Sequence, residues 1–218
     1  MDCELGMSTS INRGDISAFA ESHPHEDFYM QQARKNGIEI GALDPTPGTG
    51  GLIGLMATLT QAKAIVEVGT GSGVSGLWAF YGSTTESNLT SIDSERENSG
   101  LAKKIFDEAG ISSARYRLIT GNILEVVGKL ADQNYDFMIV RSPIDILDVV
   151  QESFRLLKDG GVLLIDNALD GGKVADPTQR DFETISRRDA VKAIKEDPRW
   201  ISSILPLGGG VLIATKVN

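Results

Sequence analysis

The chain has 218 residues, with 21 Lys and Arg against 30 Asp and Glu, giving a formal net charge of −9. That length suits one α/β domain, and a hydrophobic fraction of 41% with 23% charged residues fills a core rather than leaving a disordered chain. An acidic field, with a pI near 4.8, repels nucleic-acid phosphates and excludes them as the expected partner.

The chain opens on MDCELGMSTS, with Asp2 and Glu4 where a secretory leader would carry Lys or Arg. Cys3 is the single cysteine, so neither an internal disulfide nor a zinc ribbon is expected, and a reduced, cytoplasmic setting fits. The first 60 residues read as a helical extension of a single domain spanning 1–218, ahead of a core over 61–218. Within the extension, HEDFYMQQARKNGIEIG is a helix closed by Gly37, DPTPGTGG a Pro/Gly loop, and LIGLMATLTQA an apolar helix. The only histidines, His23 and His25, flank Pro24 in what reads as a loop, with no third metal ligand near.

From Ala64 strands and helices alternate. AIVEVGT is a buried strand, GVSGLWAFYG a helix with Trp78 and Phe80 in the core, and NLTSID a second strand. ERENSGLAKKIFDEAG is an amphipathic helix stopped by Gly110, RYRLIT a third strand, ILEVVGKLA a helix, and YDFMIV a fourth strand. DILDVVQESFRLLKDGG is a helix aligning Leu147, Val150, Phe154 and Leu157, followed by the fifth strand, GVLLIDN. QRDFETISRRDAVKAIKEDP is a surface-type helix with Arg187-Arg188 on a solvated face. WISSILPL and GVLIATKVN form a closing hairpin about Gly208 to Gly210. This order implies a parallel sheet covered by helices on both faces, with one antiparallel strand at the end. No segment approaches the ~20 apolar residues that a membrane helix needs.

The most informative residues are Glu67-Val68-Gly69-Thr70-Gly71-Ser72-Gly73-Val74-Ser75, where the first strand turns into a helix. Glycines there let a ligand approach main-chain N–H groups. Gly71 to Gly76 match G-x-G-x-x-G, and Asp93 follows at the distance of a ribose-binding acid, so a nicotinamide-dependent oxidoreductase is one reading. Glu67 favours another. A carboxylate before the glycines sits poorly beside an anionic diphosphate but suits a ligand with a cationic end, such as S-adenosylmethionine. Asp93, at the tip of the second strand, has the two acceptor oxygens that a vicinal diol needs.

With these residues in view, the chain resembles the class I S-adenosylmethionine-dependent methyltransferases, and among them the small O-methyltransferases related to catechol and caffeoyl-CoA O-methyltransferases. AIVEVGTGSGVSGLWAF resembles that family's first motif, TSIDSE its ribose-binding segment, YDFMIVRSPID its fourth-strand segment, and RLLKDGGVLLIDNALDGGKVADP its fifth. The resemblance implies a Rossmann-like fold with a seven-stranded, mostly parallel sheet in the order 3-2-1-4-5-7-6, the last strand antiparallel. It implies S-adenosylmethionine as cofactor, a small hydroxylated aromatic acceptor, and a homodimer. It places Glu67, Gly69, Thr70, Gly71 and Ser75 at the cofactor's amino-acid end, and Asp93 at its ribose. Asn122 and Ile123 fall at the adenine, and the loop around Pro45 closes over the cofactor.

One segment departs from the family pattern. The family holds a divalent metal, Mg or Ca, with an Asp after strand four and an Asp-Asn pair after strand five. Asp166-Asn167 supplies the pair, but Arg141-Ser142-Pro143 stands where the first Asp belongs, and no catalytic Lys is found near Ile144. Arg141 repels a dication and can instead hold an anionic acceptor through a charge-assisted hydrogen bond, or pair with Asp166 or Asp145 at the surface. Arg141, Asp166 and Asn167 are thus the candidate catalytic residues, Asp166 and Asn167 are the ligands of any metal bound, and a metal-independent or substrate-shifted enzyme is expected. A non-catalytic, cofactor-binding relative is the alternative.

Overall fold

The computed structural model describes residues 12–217; Cys3 and the acids at positions 2 and 4 lie outside them. Three helices come first: α1 (Arg13–Ser22), α2 (Phe28–Ile40) and α3 (Pro47–Leu59). The alternating part follows as β1 (Ala64–Val68), α4 (Val74–Gly82), β2 (Asn88–Asp93), α5 (Arg96–Glu108), β3 (Tyr116–Thr120), α6 (Ile123–Val127) and β4 (Tyr135–Val140). It continues through α7 (Ile146–Leu156), β5 (Leu157–Ile165), α8 (Phe182–Glu196), β6 (Trp200–Leu205) and β7 (Val211–Lys216). The sheet order is β3-β2-β1-β4-β5-β7-β6. The neighbours from β3 to β5 pair in parallel, and β7 runs antiparallel to both β5 and β6. This is the expected topology. Among the described residues no helix is long and apolar enough to cross a membrane.

Side chains alternate across a strand, so each strand feeds two cores. Val66, Val68, Met138, Val140, Leu163 and Ile165 pack with α6, α7 and α8. Ile65, Phe137, Ile139 and Leu164 pack with α2, α3, α4 and α5, where Trp78 and Phe80 are buried as expected. Continuing that second phase to the strand ends puts Glu67, Asp93, Arg141 and Asp166 on one face at the carboxyl edge. The sheet order reverses there between β1 and β4, the usual binding crevice of open α/β sheets.

Four boundaries differ from expectation. Helix α2 runs through Gly37 and ends at Gly41, whose left-handed φ of 69° closes it. Helix α3 begins inside the Pro/Gly stretch, since Thr46 caps it and Pro47 takes the first turn, where proline's missing N–H costs nothing. Helix α6 is shorter than its apolar run, turning out at Gly128. Helix α7 stops at Leu156 because Leu157 pairs with Tyr135 as the first residue of β5, sheet pairing overriding the helical pattern.

Candidate active site

At the end of β1 the backbone of the glycine bend takes φ of 97° at Gly69 and 55° at Gly71, conformations that side chains disfavour. A Cβ at Gly69 would meet the backbone N of Ser142 at 2.8 Å, and one at Gly71 would meet Asp44 at the same distance. The bend lines a cleft together with Gly41, Ala42, Leu43, Asp93, Asn98, Ile123, Arg141 and Ile144.

Glu67 does not reach that cleft. It is fully buried, and its carboxylate accepts hydrogen bonds from Ser75 Oγ and from Ser91 Oγ at 2.6 Å. Since Ser91 gives its proton to Glu67, Thr70 Oγ1 is the donor in its 2.7 Å contact with Ser91. Burial raises the Glu67 pKa; the Arg141 charge and the two serines oppose the rise without cancelling it. The side chains of Glu67, Thr70 and Ser75, expected at the cofactor's amino-acid end, are here bonded to Ser91 and to one another. They form a polar layer beneath the bend, turned inward by the strand alternation of β1.

Arg141 stands between that layer and the cleft. Its Nη1 donates to Gly69 O at 3.1 Å and to Ser75 Oγ at 3.0 Å, and its Nη2 donates to Leu43 O. Asp44 lies 3.8 Å from Nη2, and Asp166 lies 3.7 Å from Nε. It is a buried hub, not the surface arginine that was the other possibility, and Asp145 takes no part in these ion pairs. Burial raises the Asp166 pKa above its ordinary value, with the Arg141 charge opposing. Asn167 donates its backbone N–H to Asp166 Oδ1 at 2.8 Å, at a positive φ of 51°.

Asp93 lies on the cleft wall but already has partners. It accepts from Gly71 N at 3.1 Å, Glu95 N at 2.9 Å and the Asn98 side chain. A ligand hydroxyl bonded to Asp93 would have to displace the Asn98 amide. Ile123 lines the cleft, whereas the Asn122 side chain is exposed and caps α6 through Glu125 N at 3.0 Å. Pro45 is buried with its carbonyl on Arg34, so Gly41 to Leu43, not Pro45, are the parts of that loop that face the cleft.

The sequence reading missed two residues. Asp44 ties the loop to the bend, accepting from Ser72 N at 3.2 Å and Ser72 Oγ at 2.6 Å; no local pattern marks it. Arg187, expected on a solvated face, is 2% exposed. Its spacing with Thr184, Ala190 and Ile194 puts it on the buried stripe of α8, and that periodicity was a usable signal. Arg188 binds the carbonyls of Val174 and Asp176. His23 and His25 are exposed.

The residues do not suit a divalent cation. Among the described residues no three His, Cys, Asp or Glu side chains gather as ligands. The position facing Asp166 is held by a guanidinium, and a carboxylate shared with an adjacent cation is a poor dication ligand.

The O-methyltransferase family model matches residues 20–217. A Mycobacterium avium protein named as an O-methyltransferase is 43% identical over 217 residues, 99% of this chain and 98% of that protein. The chain belongs to the O-methyltransferase family. Among solved structures, a Corynebacterium glutamicum protein is 31% identical with a TM-score of 0.85, covering 93% of this O-methyltransferase and 96% of that chain. The O-methyltransferase TomG of Streptomyces achromogenes, in complex with SAM, shares the fold at 24% identity and a TM-score of 0.82, over 93% and 96% of the two chains.

Proposed function

We propose that this O-methyltransferase moves a methyl group from S-adenosylmethionine to a hydroxyl of a small aromatic acceptor without a divalent metal. The observation that carries the metal-free part is the buried Arg141 guanidinium 3.7 Å from Asp166, where the family resemblance calls for a metal acid. The donor supplies a methyl on a sulfonium, transferred by in-line displacement. The chain's polar groups suit that donor's ends. Arg141 is a partner for its carboxylate, and the acceptors that Arg141 now uses, Gly69 O and Leu43 O, suit its ammonium. Asp93 suits the ribose hydroxyls, and Ile123 offers an apolar wall to the adenine.

A phenol ionises near pH ~10, so the acceptor oxygen needs help to lose its proton. Arg141 favours the anion by charge. Asp166 takes the proton, its burial-raised pKa bringing it nearer the operating pH than an exposed carboxylate, and Asn167 holds it in place. Asp166→Asn is expected to lower kcat by about 100-fold while leaving donor affinity intact. In the parent protein kcat/KM rises with pH through the raised Asp166 pKa.

The deciding experiment is a methyl-transfer assay over a panel of phenols, with and without EDTA. Equal rates are expected, and strict dependence on Mg2+ would overturn the reading. Binding of S-adenosylhomocysteine in preference to NADH separates it from the oxidoreductase reading; tight binding with no turnover on the panel favours the non-catalytic one. We further read the protein as cytoplasmic and homodimeric; the exposed Ile16, Leu55 and Tyr81, which border apolar grooves joined at Ala20 and Leu207, support the dimer. Light scattering coupled to gel filtration checks the dimer.

A further inference from the structure

Every acceptor position of Asp93 is taken within the protein. A carboxylate offers two oxygens with about four lone-pair sites. Gly71 N donates to Oδ2 at 3.1 Å and Glu95 N to Oδ1 at 2.9 Å, while Asn98 Nδ2 reaches both oxygens at 3.1 Å. These donors differ in what holds them. The Gly71 N–H belongs to the glycine bend, at a φ of 55°, and the Glu95 N–H is backbone at the N-cap of α5. Neither can turn away without rebuilding its element. Asn98 is a side chain on the first turn of α5, half-buried on the cleft wall. Its amide can leave by side-chain rotation alone.

We propose that Asn98 is a specificity-determining residue of the donor site, an internal competitor whose amide covers Asp93 in place of a ribose diol. The proposal rests on the methyl-transfer reading and deepens it at the nucleoside end. Because the amide spans both oxygens, a ligand with two adjacent hydroxyls restores both contacts when it evicts the amide. A ligand without those hydroxyls leaves Asn98 in place and gains nothing from Asp93. Net affinity for the diol is therefore a difference between two sets of hydrogen bonds to one charged acceptor. Asn98 is tethered beside Asp93, which gives its amide a high effective concentration there. Without it, water covers Asp93, and an ordered water is displaced at little cost.

The test is calorimetric titration of the full chain with S-adenosylhomocysteine and with its 2′,3′-dideoxy analogue, and it needs no turnover. The parent is compared with Asn98→Ala, which keeps α5 because alanine is the better helix former, and with Asn98→Ser, whose side chain is shorter than the amide. S-adenosylhomocysteine is expected to bind both variants about 10-fold more tightly than the parent. The dideoxy analogue is expected to bind all three proteins alike, which also shows that the cleft of each variant is intact.

That split between the two ligands is what a merely structural role would not produce. An unchanged ratio of the two affinities in both variants overturns the proposal, whether both ligands gain, both lose or neither moves. Weaker binding of S-adenosylhomocysteine alone overturns it too, making Asn98 a ligand of the ribose and not its rival. If S-adenosylhomocysteine binds none of the three proteins, the methyl-transfer reading itself fails, and the proposal with it.

Discussion

Glu67 and Asp166 are buried acids whose proton affinity rises on folding. The folded state therefore binds more protons than the unfolded one above the ordinary values of 4.5 and 3.8, and stability falls as pH rises from there through the raised folded values. The carboxylates with lowered pKa, such as Asp136 and Asp170, act in the opposite direction, losing their contribution only as pH falls below 3.8. Urea midpoints measured from pH 5 to 8 (about the window in which exposed carboxylates no longer titrate) should drift downward, and Glu67→Gln should flatten the drift. Arg141 invites the converse experiment. Arg141→Asp places an acid opposite Asp166 and removes the cation that Asp44, Asp166 and Glu67 share. It should melt lower than the parent in EDTA and recover on adding Mg2+ or Ca2+, whereas the parent melts alike in both. Neither environment is legible from one residue: the two serine partners of Glu67 come into place only with the fold.

Between elements, the loop from α2 to α3 joins the glycine bend through one carboxylate. A Cβ at Gly37 would come within 2.0 Å of Asp44 Oδ2, the end of a side chain that can move. Gly37→Ala should destabilise by only about 1 kcal/mol but weaken donor binding, because Asp44 leaves Ser72. Combined with Asp44→Ala, its stability cost should largely vanish in a double-mutant cycle. Gly82 provides the contrast. A Cβ there would lie 1.9 Å from Gly54 O, in the backbone of α3 where it packs on α4. With no side chain to yield, Gly82→Ala should cost about 3 kcal/mol, read from urea unfolding. The apolar runs revealed both helices. Their close approach, and the start of α3 at Pro47, were hidden because a Pro/Gly stretch reads equally as a loop or a first turn.

Across the whole molecule, the strand order followed from the family resemblance, while the β/α alternation and its periods of two and 3.6 were enough to specify a parallel sheet with a two-sided core and a closing hairpin. These properties depend on which residues are apolar and how often they recur, and both are written locally. The same local text placed Glu67, Gly69, Gly71, Asp93, Arg141 and Asp166 near one edge. Tertiary structure alone decided what each does there. Strand phase turned Glu67 inward and Arg141 across the bend. A loop residue 28 positions before Ser72 became its hydrogen-bond partner. A helix that reads as surface buried Arg187 on its inner stripe. The physical reason is that a charge takes its role from burial and from partners distant in the chain, and neither is set until the sheet has closed and the helices have packed on it.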